Sequence, residues 1–83
     1  MNEMLMHIII DQILFLELSD DSIVEPDAAV AQLEQIAYCL QKLDQKEREV
    51  FTAYIDQYIT TENATNQKRI AVLRSIPDSL FRP

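Results

Sequence analysis

Met4 to Leu18, MLMHIIIDQILFLEL, holds eleven apolar residues in fifteen, a density that no other stretch of the chain reaches. On a helix at 100° per residue, Leu5, Ile9, Ile13 and Leu16 fall on one stripe, and Met6 and Ile10 widen it. Met4, Ile8 and Phe15 form a second stripe, and the most polar strip carries His7 and Asp11. A helix apolar over most of its circumference is buried on most sides. The pattern therefore predicts a central N-terminal helix, or one shared with a second copy. The run Ile8-Ile9-Ile10 is also β-prone, which leaves a strand over 8–16 as the alternative. The stretch is too short to span a bilayer and is interrupted by Asp11, Gln12 and Glu17.

Three further helical patterns follow. SDDSIVEP, residues 19–26, is a linker in which Ile23 and Val24 are expected to tuck against the core. The second helix is predicted over Pro26–Leu43, with Val30, Leu33, Ile36, Ala37, Leu40 and Leu43 on one arc. Pro26 suits its first position, Lys42 suits its last turn, and Cys39 reads as a small packing residue at the arc's margin. Tyr38 points away from the arc. Asp44 and Glu47 have capping-box spacing and open a third helix whose stripe runs from Val50 and Phe51 to Tyr58 and Ile59. It fades at Thr60, Thr61 and Asn63. The fourth helix is predicted over Ala64–Ile76, stopped by Pro77, with Leu80 and Phe81 folded back as a lid. Arg69 projects towards its apolar side and must snorkel or pair with an acid of the first half. The result is an all-α bundle of four helices in one domain, residues 1–83, with the first helix central.

The absence of glycine from all 83 residues sharpens this picture. Phosphate-cradling loops, dinucleotide fingerprints and the calcium loop all need it, and so do tight hairpin turns. A chain this short buries only about 60% of its unfolded surface, and a single cysteine allows no internal disulfide. Helix packing or self-association must then hold it together. No Lys or Arg precedes the first apolar run, so no secretory signal is expected and a cytoplasmic location is the default.

Charge divides the chain. Residues 1–41 carry eight acids and neither Lys nor Arg, whereas residues 42–83 carry six acids and seven bases, together giving the net charge of −7. An acidic half repels phosphate backbones and attracts cations. Asp20, Asp21, Glu34 and Tyr38 are therefore candidate contacts for a basic partner protein, and Met4, Ile8 and Phe15 for self-association as a homodimer. His7 and Asp11, at i and i+4, can form an imidazole–carboxylate pair but lack a third group on that face of the helix, so no catalytic residue is assigned. Asp20, Asp21, Glu25 and Asp27 lack the alternating spacing of a calcium loop, and neither a metal nor a cofactor is expected.

Leu43 followed by Glu47-Arg48-Glu49-Val50-Phe51 resembles a fragment of the fourth region of bacterial sigma factors. That resemblance would imply a turn and a base-reading helix after it. The turn pattern is missing, and no nucleic-acid partner is expected. Size, acidity and helical class are similar to those of small bacterial immunity proteins, without the tyrosine-bearing segment of their colicin-type members. A non-catalytic protein-interaction module, with an inhibitor or immunity-type role as one form, is the function these features favour. A structural homodimer without a ligand is the alternative, and a DNA-binding regulator is the least supported reading.

Overall fold

The computed structural model describes residues 1–81 and contains four helices: α1 (Glu3–Leu18), α2 (Pro26–Leu40), α3 (Gln45–Thr61) and α4 (Gln67–Phe81). The isoleucine run is helical, and there is no strand among the described residues. Asn2 starts α1 by accepting from the backbone N–H groups of Met4 and Leu5, and Ser19 closes it with a bond to the Phe15 carbonyl. Those caps satisfy groups that a helix end leaves without intrahelical partners.

α1 is central. It packs against α2, α3 and α4, and α3 also packs against α4. Its buried stripe is Met6, Ile10, Ile13 and Leu14, with Ile9 and Leu16 half-buried. The expected stripe is thus rotated. Leu5 faces outward, and Leu14, which belonged to neither predicted stripe, is only 2% exposed. Phe51 and Ile55 of α3 and Leu73 and Ile76 of α4 complete the core, joined by Leu40 at the end of α2.

α2 is different in kind. Its main seat is α1, so one narrow strip of it is covered: Ala29 and Leu40 are buried, and Val30 is more than half exposed. Cys39 is exposed as well, accepting a weak bond from Gln35 Nε2 at 3.8 Å, and is not a packing residue. With only one helix beneath it, the wide arc of apolar positions has nothing to cover its edges. The helix ends at Leu40, three residues early, in a tightened turn whose carbonyls are taken by α3: Arg48 donates from Nε to the Leu43 carbonyl at 3.0 Å and from its terminal nitrogen to the Gln41 carbonyl at 2.6 Å. Arg48 therefore does what Lys42 was expected to do, and Lys42 lies over the Tyr38 ring, 4.5 Å from its centroid.

The linker and α4 also depart from expectation. Val24 is half-buried, but Ile23 is 64% exposed. Asp44 caps α3 by accepting from the Glu47 N–H at 2.8 Å, while the return bond, from the Asp44 N–H to the Glu47 carboxylate, is not made among the described residues. Val50 on α3 is exposed. Asn63 forms a turn with Thr65 and Asn66, which delays α4 to Gln67. Pro77 then lies inside α4 instead of ending it. Leu80 and Phe81 continue the helix to the core. The Phe81 ring meets Phe51 edge-on at 6.3 Å, and the Arg48 guanidinium lies 5.3 Å above it. These contacts outweigh the missing backbone donor at Pro77.

Candidate functional site

Two of the depressions beside α1 gather the candidate residues. The first is an open cleft of about 350 Å³ between α2 and α4, with α1 as its floor. Ile13 lies at the bottom, Val30 and Leu33 line the α2 side, and Val72, Ile76 and Leu80 line the α4 side. The carboxylates at its edge are Glu17 and Glu34, and neither has an ion-pair partner among the described residues. The opposite wall offers Ser75 and Ser79.

The second depression is polar. His7 Nε2 lies 3.1 Å from Asp11 Oδ2, as the i, i+4 spacing predicts. Tyr58 of α3 donates from its hydroxyl to Asp11 Oδ1 at 2.6 Å, and its ring lies 5.4 Å from the imidazole. Arg69 of α4 donates to the Tyr58 hydroxyl at 3.2 Å and to Glu62 Oε1 at 2.7 Å. Arg69 is therefore paired with an acid of its own half, and it reaches Asp11 only through Tyr58. The chain Arg69–Tyr58–Asp11–His7 ties α4, α3 and α1 together through the Tyr58 phenol. Ser19 lines this depression too, but no hydrogen bond joins it to His7.

Burial pushes the Tyr58 hydroxyl up to about 12, assisted by its bond to the Asp11 carboxylate and that group's charge. A folded-state value above the ordinary 10.0 means that the neutral phenol stabilises the fold fully below pH 10, and that this is lost as pH rises through about 12. The wild type should therefore lose more stability than Tyr58→Phe between about pH 10 and 12, since phenylalanine has no proton to lose. Urea unfolding of both proteins at each pH measures this, and parallel losses would show that neither burial nor Asp11 raises the phenol.

The structure divides the candidate partner residues. Asp20 lines the polar depression beside Phe15, Leu18 and Ile23, and Asp21 follows it in the linker. Asp20 accepts from the Ser22 hydroxyl and backbone N–H, which hold its carboxyl below the usual range. Glu25 caps α2 through the backbone N–H groups of Asp27 and Ala28. Glu34 belongs to the apolar cleft, and Tyr38 stands exposed beneath Lys42. Met4, Ile8 and Phe15 are 69%, 52% and 49% exposed on the outer face of α1. Glu17 is the cleft residue that sequence reasoning missed. Its place near the end of an apolar run was visible, but that it would line the same cleft as Glu34 was not.

These features define an all-helical protein with a three-helix centre and a fourth helix seated on it. No protein-family model, no curated protein and no solved structure matches the chain. No helix among the described residues is long and apolar enough to cross a membrane.

Proposed function

We propose that this protein is a non-catalytic protein-interaction module that binds a basic partner through the acidic, apolar surface of its first half. One observation carries the reading. All eight acids of residues 1–41 are exposed, and none is paired with Lys or Arg among the described residues. The same half supplies every exposed large apolar side chain among those residues except Val50. Uncompensated acids interleaved with exposed apolar groups are the composition of a surface that captures a cationic, partly apolar partner.

The test immobilises the wild type and an Asp20→Asn/Asp21→Asn/Glu34→Gln variant in lysate of the source cell. The expected result is a basic protein retained by the wild type at low salt, released at high salt and missed by the variant. Retention of the same proteins by both would end the reading.

The outward stripe Met4, Ile8 and Phe15, extended by Leu5 and Leu18, supports a second reading as a homodimer paired through α1. Sedimentation equilibrium of the same preparations separates the two. A dimer that Ile8→Glu converts to a folded monomer supports self-association, and a monomer at high concentration removes it.

A further inference from the structure

We infer that the cleft between α2 and α4 is the seat of a cationic amphipathic α-helix from the partner protein. The inference rests on the proposed partner-binding role and names the binding element and its place. α1, α3 and α4 pack on one another, whereas α2 has its main seat on α1 alone. A gap with an α1 floor and helical walls on both sides is thus left open. Its lining is mostly apolar although it faces solvent, and two helices flanking a third form the groove into which a further helix packs. From Val72 to Leu80 the α4 wall runs nine residues, about 12 Å or just over two turns. An occupant needs apolar residues at i, i+3 or i+4, and i+7 to cover that length.

Charge decides what kind of helix fits. Both carboxylates, Glu17 and Glu34, come from the α1 and α2 side, and the α4 wall presents Ser75 and Ser79. The occupant therefore carries lysine or arginine along one flank of its apolar stripe and small or polar residues along the other. A second copy of this chain does not meet that description. Its exposed apolar stripe lies on α1, which has no Lys or Arg, and its basic helix, α4, spends its apolar side on the core.

The probe is a synthetic 16-residue leucine/lysine helix with leucines at i, i+3, i+4 and i+7, beside a leucine/glutamate helix of the same pattern. Methyl NMR of the full chain reads where each binds. The expected result is that the lysine helix shifts Ile13, Val30, Leu33 and Ile76 and the glutamate helix does not. Glu17→Gln/Glu34→Gln should weaken binding about three- to tenfold, the effect of losing two exposed charge pairs. Val30→Lys should weaken it more, and because Val30 already faces solvent its circular dichroism should match the wild type. Shifts confined to Met4, Leu5 and Ile8 on the outer face of α1, or no binding of the lysine helix, would overturn the cleft assignment while leaving the acidic partner-binding surface to its own test. Equal binding of both helices would overturn the charge argument on which both readings stand. Concentration-dependent shifts of the cleft methyls without peptide would give the cleft to a second copy instead.

Discussion

Phe51→Ala is expected to lower the unfolding free energy by about 4 kcal/mol, the middle of the range for emptying a fully buried aromatic site. Phe51 is 0% exposed and belongs to the cluster that includes Ile10 and Leu14 of α1 and Leu73 and Ile76 of α4. It also receives the edge of Phe81, a contact of the kind worth about 0.5–1.5 kcal/mol beyond its area. A domain of this size has a total stability on the order of 4–12 kcal/mol, so the variant should be largely unfolded at room temperature or melt far below the wild type. Phe51→Leu keeps most of the volume and should lose about half as much. Urea unfolding followed by circular dichroism measures both. A loss below about 1 kcal/mol for Phe51→Ala would mean that the site collapses easily and is not the point where α1, α3 and α4 meet.

Pro77→Ala should act in the opposite direction, raising stability by about 2 kcal/mol. Pro77 is the eleventh residue of the fifteen-residue α4. There it offers no N–H to the Leu73 carbonyl, and its ring crowds the preceding turn, a cost near 3 kcal/mol relative to alanine. Part of that is returned because proline also restricts the unfolded chain, by about 1 kcal/mol or less. The net gain should raise the melting temperature by roughly 8–16 °C for a domain of this size. Unchanged or lowered stability would indicate that α4 ends before Pro77 and that Leu80 and Phe81 reach the core by another path. The two substitutions probe one contact from its two ends, since Phe51 holds Phe81 and Pro77 strains the helix that delivers it.

Local pattern and chemistry were enough for much of the fold. Period-3.6 spacing located four helices, Asp44 marked the start of α3, and the apolar density of Met4–Leu18 identified the helix against which the others pack. The His7–Asp11 pair followed from spacing alone, because residues four apart on a helix are neighbours whatever surrounds them. Proline, by contrast, misled. Its cost at position 77 is real, but it is a local cost of a few kcal/mol, and the packing of Leu80 on the core and of Phe81 against Phe51 exceeds it. The rotation of α1 that buries Leu14 and exposes Leu5 was likewise out of reach, since a helix apolar on nearly every side gives no single direction to its moment.

The candidate site divides along the same line. The sequence by itself determined that the first half is acidic and rich in apolar residues, because charge and hydropathy are properties of the residues and need no partner. Only the tertiary structure decided that α2 would rest on α1 with a cleft beside α4, that Glu17 and Glu34 would both line that cleft, and that Tyr58 would link Asp11 to Arg69. Each of these brings together groups from different helices. Their meeting is set by how helix surfaces interlock across the core, and spacing along one chain segment carries no information about that.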